Sequence, residues 1–175
     1  MELFLLIVRN VFIAIAILYL LVVIVDVSFV GSFRSIMKHH AHDITVILTN
    51  KRDLLIKLID FANSLGIKLD KKNTEAVRNY DVQRIIEHDG EDAKKAREEL
   101  TSLCDYFVSE TSQIDVLNSQ SEYQKIIENI NELEKVYRQH LMMYNADVLG
   151  YNFWIYFWPT RYIYKIIKFK KKDNI

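Results

Sequence analysis

The chain has 175 residues, with 23 Lys plus Arg against 23 Asp plus Glu, and half of it is hydrophobic. A balanced charge gives no whole-chain field that would gather nucleic acid. Four glycines, one proline and one cysteine argue against a turn-rich β fold and exclude an internal disulfide, so an all-α chain of long helices is expected.

Leu3 to Val30 is apolar apart from Arg9, Asn10, Asp26 and Ser28, and Val11 to Val25 has no polar group except a tyrosine hydroxyl. A membrane span needs ~20 such residues, with Arg9 snorkelling to the headgroups. Residues 1–33 are therefore predicted to form a single N-terminal transmembrane anchor. A cleaved signal peptide is the competing reading. Glu2 before the run, Arg9 within it and the lack of an Ala-x-Ala site after it weigh against cleavage. Arg34, Lys38, Lys51 and Arg52 follow the span, whereas Arg9 and the terminal amine precede or open it. That small excess favours a cytoplasmic main domain.

Residues 34–159 are predicted to form an elongated antiparallel helical bundle of about four segments. The first, Arg34 to Leu65, carries Ile44, Ile47, Leu54, Leu58, Phe61 and Leu65, with Lys51 at the missing turn. This is close to the 3.5-residue repeat of a helix seam. No proline or glycine follows Gly31 until Gly66, so this helix reads as an outward continuation of the anchor, stopped at Gly66. A second helix is predicted from an Asn73 or Thr74 cap through His88, with a weak stripe of Ala76, Val77, Tyr80, Ile85 and Ile86. Ala93, Ala96, Leu100, Leu103, Cys104 and Phe107 mark a third, in which Cys104 is a small core residue rather than a reactive thiol. Ser109 to Asn118 reads as a loop.

The longest stripe lies in Ser119 to Pro159, at Tyr123, Ile126, Ile127, Ile130, Leu133, Val136, Tyr137, Leu141, Tyr144, Val148 and Tyr151. Steps of three and four place these on one helix face. Ser119 and Glu122 have capping-box spacing, and Pro159 is expected to end the helix. A helix this long needs partners to be stable in water. Residues 160–175 form a basic, aromatic tail. Trp154 and Trp158 precede it, and Arg161, Lys165, Lys168, Lys170, Lys171 and Lys172 follow. Aromatic rings favour the headgroup zone and cations favour anionic lipid, so these residues are expected at the membrane surface. Packing of the aromatics on the bundle with solvated lysines is the other reading.

The segment Tyr144 to Pro159, YNADVLGYNFWIYFWP, resembles the YN-x-x-V-x-x-YN-x-x-I-x-x-F-P signature of LemA proteins. Tyr144, Asn145, Val148, Tyr151, Asn152, Ile155 and Pro159 match it, with Trp158 at the usual Phe place. Asp53, Leu54, Leu58 and Ile59 are similar to the family's Asp-Leu-Ile segment. Leu141 stands where the family usually has arginine, Ile56 replaces a proline, and Gln113 to Leu117 stands in for Tyr-Pro-Asp-Leu. The resemblance covers most of the chain outside about residues 66–115, and makes it a divergent member. It implies a single-span bacterial inner-membrane protein carrying a helical-hairpin bundle, with links to cell-envelope proteins and no enzymatic reaction. Tyr144 and Tyr151 share a helix face, as do Asn145 and Asn152. With Asp53 or Lys51 they are expected to clamp the first and last helices through a polar layer. Ordinary core tyrosines with solvated asparagines are the alternative.

Chemistry is sparse. There is no phosphate-binding loop, dinucleotide fingerprint, zinc-protease motif or nucleophile elbow. His39, His40 and His42 form the one metal-like cluster, with His39 and His42 three apart. Interfacial, solvated histidines are favoured over a metal site, and no cofactor is expected. The function expected is that of a non-enzymatic, membrane-anchored scaffold or adaptor. A lipid-binding or membrane-remodelling protein using the tail is the alternative. The partners expected are the lipid bilayer and a membrane or envelope protein of unknown identity, with no nucleic acid and with a homo-oligomer left open.

Overall fold

A computed structural model describes residues 1–81, 91–157, 160–166 and 169–172. Its helices are α1 (Glu2–Ser64), α2 (Lys71–Arg78), α3 (Glu91–Ser112), α4 (Asp115–Asn118), α5 (Ser121–Tyr156) and α6 (Arg161–Ile166). Among the described residues there is no strand, and the fold is an all-α bundle. The predicted positions Ile85, Ile86, His88, Trp158, Pro159 and Lys168 lie outside the described residues.

α1 is one helix of 63 residues, and Gly31 does not interrupt it. It stops as the sequence requires. Gly66 takes φ +76°, its N–H donates to the Asn63 carbonyl, and the Ile67 N–H donates to the Ala62 carbonyl. That pair of reversed bonds satisfies carbonyls the helix leaves open, and the left-handed residue between them costs least as glycine.

The chain divides into two compact units: Met1–Lys38 with Asn145–Asn174, and His39–Tyr144. Both α1 and α5 contribute to each. In the His39–Tyr144 unit α1 and α5 run antiparallel. Ile44, Ile47, Leu48, Lys51, Leu55, Leu58, Ile59 and Ala62 are buried on α1. Against the expected stripe, Leu54 and Phe61 are half-buried and Leu65 is exposed. The buried face is centred on Leu48, Leu55 and Ile59, because Leu54 and Leu55 are both apolar and spacing alone does not choose between them. On α5, Tyr123, Ile126, Ile130 and Tyr144 are buried, Leu133, Tyr137 and Leu141 are half-buried, and Val136 is exposed. α3 packs Ala96, Leu100, Cys104 and Phe107 inward, at the predicted three- and four-residue steps.

Two helix starts differ from expectation. Asp70, not Asn73 or Thr74, caps α2 by accepting the Asn73 N–H at 3.0 Å. α2 is finished by Arg78, where Tyr80 turns inward and its hydroxyl donates to the Ala96 carbonyl. Ser119 does not open a capping box. Its hydroxyl donates to the Val116 carbonyl at 2.9 Å, closing α4, a single turn inside the predicted loop that buries Leu117. α5 therefore starts at Ser121 and ends at Tyr156, ahead of the predicted Pro159 stop.

Candidate functional site

In the Met1–Lys38 and Asn145–Asn174 unit, α1 carries a long run of exposed apolar side chains from Leu3 to Phe29, including Val11 and Val25. The most apolar 18-residue stretch has only 6% of its residues buried, and the helix is long and apolar enough to cross a membrane. Past the middle of this run the surface changes. Asp26, Val30 and Met37 are buried, as are Val148, Tyr151 and Ile155 of α5. Their spacing along each helix is three, four or seven residues, the period of a packed seam. Trp154 stacks on Phe29 with ring centres 5.1 Å apart and planes 1° from parallel, so its face is used within the chain. Gly150 lets the Phe33 ring approach closely: a Cβ there would lie 2.7 Å from a ring carbon.

The tail is tied to the same unit. Thr160 is buried and its hydroxyl donates to the Asp26 carboxylate. Tyr164 is buried beside them, and burial, with the Asp26 charge adding to it, lifts its phenol well above the ordinary value. Tyr151 donates its hydroxyl to the Lys170 carbonyl at 3.2 Å. The Asn152 amide donates to the Lys172 carbonyl at 2.8 Å and accepts the Lys172 N–H at 3.0 Å. Arg34 lies over the Phe169 ring at 5.7 Å. Arg161, Lys165, Lys170 and Lys171 remain exposed, and Lys172 is half-buried. The second Tyr-Asn pair thus grips the tail main chain.

The residues expected to meet the Tyr-Asn pairs are used differently. Asp53 is exposed and lies 3.6 Å from its neighbour Arg52, and Leu54 is half-buried. Lys51 is 1% exposed, and its ammonium donates to Glu134 at 2.7 Å. Glu134 also accepts Arg138 at 2.8 Å. Burial pushes the Glu134 carboxyl up, but the bonds and charges of Lys51 and Arg138 outweigh it and hold the group below its ordinary value. Burial drives the Cys104 thiol up to about 11 against the pull of Lys51, which fits a core residue and not a nucleophile. Tyr144 and Val148 are buried and Asn145 is half-buried.

The histidine cluster also takes a different form. His42 is exposed, whereas His40 lies with Asp43 and His140, the ligand atoms of the three within 4.8 Å of one another. The two Nδ1 atoms of His40 and His140 are 3.4 Å apart. His140 Nδ1 lies 3.5 Å from Asp43 Oδ2, and His39 Nε2 lies 3.6 Å from the same oxygen.

Sequence reasoning missed Glu134, His140, Asp26 and Thr160. Asp26 had a signal: an acid within an apolar run is expensive unless a partner satisfies it. Glu134 had another, since Arg138 four residues on marks an ion-paired helix face. His140 had none, because its neighbour His40 lies 100 residues away along the chain.

Neither the curated proteins nor the solved structures yield a match. The model of the LemA family matches residues 40–175, which takes in the His39–Tyr144 unit almost whole together with the second Tyr-Asn pair and the tail it holds, and the chain belongs to that family.

Proposed function

We propose that the chain is a non-enzymatic, single-pass scaffold that holds another membrane or envelope protein at the inner face of a bacterial inner membrane. The observation that carries this reading is apolar surface left exposed in the Met1–Lys38 and Asn145–Asn174 unit. Along α1 it is long and apolar enough to cross a membrane. On α5, Leu149, Phe153 and Tyr156 are 63%, 60% and 63% exposed. They are four and three residues apart, so they form one stripe on a helix whose opposite face packs inward. A contiguous exposed apolar stripe marks a surface that meets lipid or protein. Arg34, Arg161, Lys165, Lys170 and Lys171 are exposed beyond the apolar run, and this basic concentration favours the cytoplasmic side.

A photo-crosslinking residue at Phe153 of the full chain, activated in intact cells, tests the scaffold. One reproducible protein adduct at native expression is expected, together with retention of the chain in membranes through a carbonate wash. Adducts with lipid alone refute the scaffold, and release by carbonate refutes the anchor. A second reading, binding of anionic lipid by the tail, is favoured by lysines that stay exposed on a segment whose main chain is pinned. Each contributes about 1 kcal/mol near such a surface. Substituting Arg161, Lys165, Lys170 and Lys171 by Gln in the full chain would then weaken its preference for anionic over neutral vesicles.

A further inference from the structure

We propose that His40, Asp43 and His140 form a binding site for a divalent transition-metal ion of the zinc type. The site lies wholly within the His39–Tyr144 unit and goes beyond the scaffold reading, which needs no metal.

His40 and Asp43 are three apart on α1, so they share a face. His140 comes from α5, across the antiparallel pair. His140 Nδ1 faces two acceptor-capable atoms, His40 Nδ1 at 3.4 Å and Asp43 Oδ2 at 3.5 Å. A neutral imidazole carries one N–H and can give it to only one of them. Both separations are long for hydrogen bonds. They do match the spacing of metal ligands: donors about 2.1 Å from a tetrahedral ion sit about 3.4 Å from one another. The third edge, between His40 and Asp43, is within 4.8 Å. A cation at the centre would bind all three atoms at once.

The donor set selects the ion. Two imidazoles with one carboxylate suit zinc, and also cobalt or nickel, better than the all-oxygen shells of calcium or magnesium. All three side chains are half-buried, which orders them yet leaves an approach for solvent. Three protein ligands leave one tetrahedral position for water or for a side chain of another protein. His39 approaches the Asp43 carboxylate from the exposed side, the place of an outer group that orients a ligating carboxylate. Bound metal would join α1 to α5 directly.

The test uses the full chain in detergent, stripped with a chelator and titrated with Co2+ and then Zn2+. Saturable one-to-one binding is expected, with the visible absorption of tetrahedral Co2+ and its loss on adding Zn2+. His140→Gln and Asp43→Asn should each weaken binding by about tenfold or more, while His42→Ala should leave it unchanged. His39→Ala should change affinity only slightly. Helical content and melting temperature in the metal-free state show that each variant is folded. No saturable binding by the parent chain would overturn the proposal. So would binding that survives in a folded His40→Gln, His140→Gln double variant, or that depends on His42 as strongly as on His140.

Discussion

Replacing Glu134 by Ala strands the Lys51 ammonium in the core. That side chain is 1% exposed, and its Nζ donates to Glu134 Oε2 at 2.7 Å. Breaking a buried pair by removing one partner costs about 3–5 kcal/mol, because the remaining charge is left uncompensated. The reverse change is milder. In Lys51→Met the surviving carboxylate is 25% exposed and keeps Arg138 at 2.8 Å, and a methionine fills the lysine's volume. A loss of about 1 kcal/mol is expected there. The double substitution should resemble Lys51→Met alone, giving a coupling energy of about 3 kcal/mol or more. For a chain of this size each kcal/mol moves the melting temperature by roughly 2–4 °C. Thermal unfolding of the full chain in detergent should therefore fall by roughly 6–20 °C for Glu134→Ala and about 2–4 °C for Lys51→Met. Equal losses, or an additive double variant, would refute the asymmetry. The same pair sets a pH response. The Glu134 carboxyl is held below its ordinary value in the folded chain. Its contribution is therefore complete above the unfolded value of about 4.3 and is lost as the pH falls through the folded value. Stability below about pH 4.3 should fall more steeply in the parent than in Glu134→Gln.

Three further outcomes are expected. With its thiol lifted to about 11, Cys104 should be alkylated at pH 8 about 100-fold or more slowly in the folded chain than in denaturant; comparable rates would place the thiol outside the core. Gly150→Leu should drive its side chain into the Phe33 ring, whose nearest carbon lies 2.7 Å from the added Cβ, and cost about 1–3 kcal/mol in a melting experiment. Gly150→Ala should be near neutral, since about 1 kcal/mol of helix propensity offsets the ring's displacement. Asn152→Leu removes both bonds to the Lys172 main chain, so trypsin should cut at Lys170 and Lys171 roughly tenfold faster while α5 stays helical, each bond contributing about 1 kcal/mol.

The long helices were legible because three- and four-residue steps of apolar side chains survive over long stretches, and Gly66 announced its turn; the single turn α4 and the short α6 carry no such stripe. Which of two adjacent leucines faced inward was not legible. Leu54 and Leu55 satisfy the period equally, and the choice depends on how α1 meets its neighbours. Lys51 was read as filling a gap in the stripe, and it is indeed buried, but its partner was hidden because Glu134 lies 83 residues away. The start of α5 was misread because Ser119 fits a capping box locally while α4 claims its hydroxyl first. The three histidines near residue 40 were visible as a cluster. The pair that meets across the helices, His40 and His140, depends on the register between α1 and α5, which no local pattern encodes.

The grip of Tyr151 and Asn152 on the tail has a wider consequence. Each bond ends on a peptide group of Lys170 or Lys172, and the asparagine amide acts there as a surrogate peptide, offering one donor and one acceptor. Such a latch reads backbone path rather than side-chain identity. The terminal segment can therefore exchange one lysine for another residue type, and so retune its electrostatics, without unfastening.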